Sequence, residues 1–313
     1  MVLVLDGGLG TALEARGLEL TGDSLWSARL LKDDPKVIED VHAAFYEAGA
    51  QVVTTATYQF SFGGFEAVGV GREEACEVLR QGVAIARKAA GENPDRKVAA
   101  SLGSYGATLA NGSEYTGDFG CDEDHLVSFH SDRFKALLAD PSRLPDFVAF
   151  ETLPSMQEVR AVVRVLEEAG PLPSGIRSWV SMSLNEDAKL NSGESLEDAL
   201  TFLRDAKCVD MIGFNCTAPR AVMRALEIAS EVAPNTPLVA YPNRGESYVN
   251  RAWVPASGVT DEDFASMLSE WTQRFSQLAV LGGCCRVGVE GIATLARKLA
   301  DANVDNTAPP SKE

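Results

Sequence analysis

Histidine is nearly absent from this chain: three among 313 residues, His42, His125 and His130. All three fall inside helix-like patterns and read as structural or solvated, which leaves no imidazole for general-base work. Positive charge is short as well, with 28 Lys and Arg against 45 Asp and Glu and a formal net charge of −17. Affinity for nucleic acid comes mainly from Lys and Arg on phosphates, and no basic run of about five residues occurs, so a nucleic-acid partner is excluded. No apolar stretch approaches the ~20 residues of a membrane span, which excludes the membrane as a partner. The opening Met-Val-Leu-Val-Leu meets Asp6 too soon for a secretory apolar region. The expectation is a soluble, cytoplasmic protein whose partners are small molecules; its oligomeric state stays open, a monomer included. A dinucleotide fingerprint is missing too. Asp6-Gly7-Gly8-Leu9-Gly10 has the wrong glycine spacing and sets a carboxylate where a phosphate would sit.

What is there is alternation. Short apolar runs at 2–5, 51–58, 97–102, 147–151, 179–184, 209–215, 237–241 and 280–283 are each followed by an amphipathic segment. The helical segments read as 35–48, 72–90, 122–138, 155–169, 195–206, 220–232, 260–278 and 290–301. Pro219 stands at a first-turn position, and Thr260-Asp261-Glu262-Asp263 reads as a cap with acidic first-turn residues. Strand–helix alternation means a parallel sheet, and eight units in about 300 residues fit a single (β/α)8 TIM barrel over residues 1–302. The remainder, 303–313, is polar and reads as a frayed tail.

In such barrels the chemistry gathers where the strands end at their C-terminal face. Asp6, the stretch from Thr55 to Tyr58, Ser104-Tyr105, Glu151, Asn215-Cys216, Asn243 and Cys284-Cys285 all fall at strand ends in this reading. The segments 60–71, 103–121 and 242–258 are the long upper loops. Six cysteines are present. Cys76, Cys121 and Cys208 read as small buried hydrophobes. Cys216 and the doublet Cys284-Cys285 top strands six and eight, so three thiolates can meet at one point. Three protein ligands with a fourth position free is the layout of a catalytic zinc site, and thiolates suit zinc. Gly282 and Gly283 remove side chains where something approaches closely. Spacing alone leaves metal binding, redox and structural roles open.

The segments Asp6-Gly7-Gly8-Leu9-Gly10-Thr11, Phe150-Glu151-Thr152, Gly213-Phe214-Asn215-Cys216 and Gly282-Gly283-Cys284-Cys285-Arg286 resemble the homocysteine S-methyltransferases. Tyr241-Pro242-Asn243-Arg244-Gly245-Glu246, followed by Trp253-Val254, looks most like the stand-alone branch that uses S-methylmethionine or S-adenosylmethionine. The resemblance runs in order from residue 3 to about residue 300. It implies a (β/α)8 barrel with Zn2+ held by Cys216, Cys284 and Cys285, where homocysteine's sulfur becomes the fourth ligand and attacks the methyl of a sulfonium donor, forming methionine. It further implies that Asp6 and Glu151 hold the substrate ammonium and that the Thr55 region binds its carboxylate through backbone N–H. Asn243 would ligate or screen zinc when homocysteine is absent. No catalytic side chain beyond the zinc site is implied. Tyr58, Tyr105, Tyr115 and Trp253 are candidates for π faces toward the sulfonium.

A selenocysteine methyltransferase would use the same site. A non-catalytic zinc- or thiol-binding protein is a different class, and Asp6 and Glu151 argue against it, because a metal buffer has no use for ammonium-binding carboxylates. A barrel enzyme of unrelated chemistry, such as a lyase, would need a Lys or His base at a strand end, and none is evident.

Overall fold

The computed structural model describes residues 2–18, 25–173, 175–245, 247–249, 252–254 and 259–307. Its ten strands are β1 (Leu3–Val4), β2 (Val52–Thr54), β3 (Lys97–Gly103), β4 (Phe147–Leu153), β5 (Arg177–Met182), β6 (Met211–Asn215), β7 (Leu238–Tyr241), the hairpin β8 (Ser247–Val249) and β9 (Ala252–Val254), and β10 (Leu278–Leu281). Eight of them form one parallel sheet in the order β1-β10-β7-β6-β5-β4-β3-β2. A parallel bridge from Leu5 to Val52 and the bond from the Asp6 amide to the Val52 carbonyl (2.9 Å) join the first and last strands, closing the barrel.

Small helices α1 (Leu9–Glu14) and α2 (Trp26–Asp33) lead into α3 (Pro35–Glu47), and α4 (Phe62–Ala67) leads into α5 (Arg72–Ala90). After β3 come α6 (Tyr105–Leu109) and α7 (Glu123–Leu138), and after β4 to β6 come α8 (Met156–Ala169), α9 (Leu196–Asp205) and α10 (Pro219–Val232). The last two are α11 (Asp261–Arg274) and α12 (Val289–Thr307). Polar caps set several starts. Asp34, Asp122, Ser155 and Ser195 each accept an orphan backbone N–H, and Thr260 with Asp263 forms a reciprocal capping box, as the acidic start of that segment predicts.

Two apolar cores follow from the strand alternation. Leu5, Val52, Ala99, Phe147, Ala149, Trp179, Met211, Val239, Tyr241 and Val280 point into the barrel and fill it, drawing on every sheet strand or its end. The larger core lies between the sheet and the helix ring. Trp179 is fully buried in the barrel, and its indole N–H donates to the Tyr241 hydroxyl at 3.1 Å.

Some boundaries differ from those expected. The strand expected over 51–58 stops at Thr54, because the chain turns there and the Phe60 amide closes on the Thr57 carbonyl. The helix expected to reach 278 ends at Arg274; Phe275 leaves helical geometry, and Leu278 already pairs with Leu238 in the sheet. Helix α12 continues to Thr307, past the end expected at 301, and 308–313 lie outside the described residues. No described helix is long and apolar enough to cross a membrane.

Candidate active site at the barrel mouth

Strands β6 and β10 deliver the three thiols to one point. The Cys216 Sγ lies 3.2 Å from that of Cys284 and 3.6 Å from that of Cys285. Among the described residues they are the group that can hold a metal, their ligand atoms all lying within 4.8 Å of one another. Four sulfurs arranged tetrahedrally at Zn–S distances of about 2.3 Å stand roughly 3.8 Å apart. The separation to Cys285 is close to this, and that to Cys284 is tighter. Mutual hydrogen bonding, which pulls in both directions, and burial leave the thiols as a set well above the ordinary cysteine pKa.

The backbone beneath them is strained. Cys216 (φ 52°), Arg286 (φ 67°) and Thr152 (φ 62°) all occupy the left-handed region that ordinary side chains avoid. Such conformations persist where surrounding contacts overdetermine them, and they cluster at functional sites. Here the contacts come from Asn215. Its Oδ1 accepts from the Thr152 amide (2.9 Å) and the Ser181 hydroxyl (2.7 Å), and its Nδ2 donates to the Thr152 hydroxyl (2.8 Å). The Arg286 amide donates to the Thr11 hydroxyl at 2.9 Å. The glycines before the doublet admit the protein's own chain: a Cβ on Gly282 would lie 2.6 Å from the Leu5 carbonyl oxygen, and one on Gly283 2.4 Å from Val287 Cγ1.

Both carboxylates named from the sequence are buried at this mouth. Asp6 accepts from the Thr54 amide (2.8 Å) and hydroxyl (3.2 Å to Oδ1). Glu151 accepts from the Ser101 hydroxyl and from the Tyr241 hydroxyl, the latter at 2.8 Å. Burial raises the pKa of each, and the Glu151 charge raises that of Asp6 further. Among the described residues neither is drawn down by a neighbouring cation, an arrangement that leaves two buried acids short of positive charge. The Glu151 charge also reaches Cys284, so carboxylates and thiols share one chamber.

Thr55 sits differently from its expected role. Its amide donates to the Ala99 carbonyl (2.9 Å), while its hydroxyl accepts from the Ser101 amide (3.0 Å) and pairs with Thr57 at 2.6 Å. It is spent on the sheet. The next amides, of Ala56 and Thr57, donate to no acceptor among the described residues. Asn243 is buried after β7 with its amide on the Thr217 carbonyl (2.9 Å), and its side-chain oxygen has no partner. Tyr115 brings its hydroxyl to 3.8 Å from Cys216 Sγ, whereas the Tyr105 ring is taken up edge-on by Phe119, His125 and Phe129. The Trp253 side chain lies outside the described residues. Cys76, Cys121 and Cys208 are half-buried rather than fully buried; Cys121 and Cys208 pack at the margin of the outer core. His42 lies in α3, and His125 and His130 lie in α7.

Sequence reasoning missed Thr54, Ser101 and the bond from Tyr241 to Glu151, and named Asn215 only as a strand-end residue, without its hold on Thr152. A polar residue inside an otherwise apolar strand is the signal Ser101 and Tyr241 carry.

A closed (β/α)8 barrel with a cluster of three thiols that could hold a metal ion, and two buried acids at its C-terminal mouth, defines a class: a TIM-barrel enzyme with its site at the strand ends. The chain belongs to the homocysteine S-methyltransferase family, whose model matches residues 3–299, and it is a methyltransferase acting on homocysteine. Homocysteine S-methyltransferase 4 of Zea mays is 38% identical, over 97% of this chain and 91% of its own. Selenocysteine Se-methyltransferase of Brassica oleracea var. italica is 36% identical, over 95% and 88%. The crystal structure of the homocysteine methyltransferase MmuM from Escherichia coli in its metallated form superposes with a TM-score of 0.80 at 36% identity, covering 95% of this chain and 96% of that one.

Proposed function

We propose that Cys216, Cys284 and Cys285 hold zinc and that the protein methylates homocysteine from a sulfonium donor, S-methylmethionine or S-adenosylmethionine, to give methionine. The observation that carries this is the convergence of three thiols, buried at Cys216 and half-buried at Cys284 and Cys285, 3.2–3.6 Å from Cys216 to its two partners, beside two acids with no cation of their own among the described residues. The donor set fits zinc: three soft sulfur ligands, a fourth position for a substrate sulfur, and no nitrogen ligand among them. When bound, zinc supplies the Lewis acidity that keeps a coordinated thiol deprotonated at neutral pH.

The chain's own residues do the rest. Asp6 and Glu151 take the homocysteine ammonium, which provides the positive charge that these buried acids lack and favours their charged form. The free amides of Ala56 and Thr57 take the carboxylate, in place of Thr55. The buried oxygen of Asn243, unpartnered among the described residues, would be free to ligate or screen zinc when homocysteine is absent. A lone pair of the homocysteine sulfur forms the new S–CH3 bond. The C–S bond of the sulfonium breaks with its electron pair leaving on the thioether, and the thiol proton passes to solvent. Charge on the donor disappears as the bond breaks, so a chamber that excludes water favours the step. No histidine base enters, which agrees with the placing of His42, His125 and His130 on helices.

The test is methionine formation by zinc-loaded protein from homocysteine, run in parallel with the two sulfonium donors, with selenocysteine as a second acceptor. Product with either donor supports the reading, and the rate ratio assigns the donor. No product with either donor, from protein shown to hold zinc, overturns it.

A further inference from the structure

We infer that Glu114 is the counter-ion of the cationic methyl donor, its carboxylate forming, with the rings of Tyr58 and Tyr115, the wall that receives the sulfonium. This rests on the sulfonium-dependent reading above. Glu114 is the middle residue of the short turn Ser113–Tyr115 in the loop that follows β3. The turn is fixed rather than loose. Its carbonyl accepts from the Ser183 hydroxyl at 3.4 Å, the Ser113 amide donates to Asn111 Oδ1 at 3.0 Å, and a Cβ on Gly106 would fall 2.4 Å from the Glu114 nitrogen.

Within that turn one oxygen of the Glu114 carboxylate is buried and has no hydrogen-bond partner among the described residues. Leaving a buried carboxylate oxygen unmatched costs more than a typical hydrogen bond returns, so such a group needs an explanation. Its surroundings supply one. The Glu114 charge is felt by both Tyr58 and Tyr115, and the same two phenols feel Cys216. The Tyr115 hydroxyl stands 3.8 Å from Cys216 Sγ. Glu114 therefore lies beside the phenols that flank Cys216, while Asp6 and Glu151 form a coupled pair that reaches Cys284, with Glu151 reaching Tyr58 as well. Methyl transfer between two sulfurs needs the acceptor and donor on different sides of the travelling carbon. With the acceptor's ammonium assigned to Asp6 and Glu151, Glu114 is left for the donor's positive charge. Tyrosine faces add a favourable quadrupole to the same cation.

A counter-ion stabilises the sulfonium most when its charge is whole, and the charge fades in the transition state. Glu114 thus lowers the donor KM without raising kcat. Replacing Glu114 by Gln should raise the donor KM about tenfold, the size of losing one charge-assisted contact. The homocysteine KM and zinc content should stay at wild-type values, and kcat should not fall. Glu114→Asp should recover part of the loss. Binding of S-methylmethionine, measured by calorimetry on the zinc-loaded proteins, should weaken in the same ratio. A donor affinity within twofold of wild type in Glu114→Gln overturns the inference, as does an equal rise in both KM values or a loss of zinc. Wild-type protein that binds neither sulfonium overturns it too. Wild-type protein that binds S-methylmethionine yet forms no methionine would bring down the proposed reaction and leave the counter-ion standing, provided Glu114→Gln weakens that binding.

Discussion

Two charged constellations are buried in this barrel, and they are finished differently. Behind the sheet, Arg133, His130 and Glu158 are all fully inaccessible. Arg133 donates to the carbonyls of Phe60 (3.3 Å) and Gly103 (2.7 Å) and to His130 Nδ1 (2.8 Å). Since His130 Nδ1 accepts, its Nε2 carries the proton and donates to Glu158 Oε1 at 2.9 Å, the neutral tautomer that burial favours. Glu158 Oε1 also accepts from the Tyr105 amide at 2.6 Å. Cation, imidazole and carboxylate are chained together, with only Arg133 Nε and Glu158 Oε2 left unpartnered among the described residues, and the bonds staple the loops after β2 and β3. The mouth differs in its charge. Among the described residues Asp6 and Glu151 have hydroxyl or amide donors but no cation, Glu114 has an oxygen with no partner, and three thiols face one another. A buried acid chained to a cation of its own marks scaffold; buried acids without one mark a place for ligands.

The sharpest way to break this contrast is to remove a thiol. Cys216→Ala, Cys284→Ala and Cys285→Ala should each lose the bound metal and take methionine formation to background, with the circular dichroism spectrum of wild type. Full metal occupancy in all three variants would sink the ligand set. On the scaffold side the expected effect is on stability. Arg133→Met leaves Glu158 as an uncompensated buried charge and should cost about 3–5 kcal/mol in denaturant unfolding. The folded fraction should still bind metal. An unchanged midpoint would show that the network is not holding the loops.

Asp6→Asn sits between these extremes. It keeps the hydrogen bonds from Thr54 in outline but removes the charge, so the homocysteine KM should rise roughly tenfold while metal content holds. Stability should move the other way. The pKa of Asp6 is raised on folding, so its contribution is present below the unfolded value and is lost as pH rises through the folded one. In its ionised form the buried acid opposes folding, so the amide should gain stability over wild type as pH rises. Wild-type homocysteine kinetics in this variant would refute the ammonium-binding role.

The barrel was legible because its signals are local. Apolar runs, amphipathic periods and caps such as Thr260-Asp263 each declare an element within a dozen residues. The five- and six-residue helices α1, α4 and α6 went unread, since so short a segment cannot show a helical period. At the site, Cys284-Cys285 and the strand-end acids stood out by residue type. Their partners did not: that Ser101 and Tyr241 both meet Glu151 depends on the register among β3, β4 and β7, which no single stretch of chain encodes. Thr55 shows the same limit on a finer scale. One residue separates an amide spent on Ala99 from the free amides of Ala56 and Thr57, and only the turn after Thr54 decides which is which.

His42 gives the smallest effect and sharpens the contrast from the scaffold side. It is fully buried in α3, and neither ring nitrogen has a hydrogen-bond partner. Burial pushes its pKa down to about 4. The unfolded chain, with a value near 6.5, takes up the proton first, so the stability that neutral His42 allows is present above that value. It is lost as pH falls from about 6.5 toward 4, amounting to about 3 kcal/mol across the window. The raised carboxylates at the mouth act with the opposite sign, so acid stabilises the site residues while it undermines the scaffold. Replacing His42 by Leu should flatten the acid side of the stability curve between pH 6.5 and 4 and change stability little at pH 8. Metal content and homocysteine KM should not move. An acid limb as steep as that of wild type would place the titration on other groups, His130 first among them, because burial lowers its pKa as well.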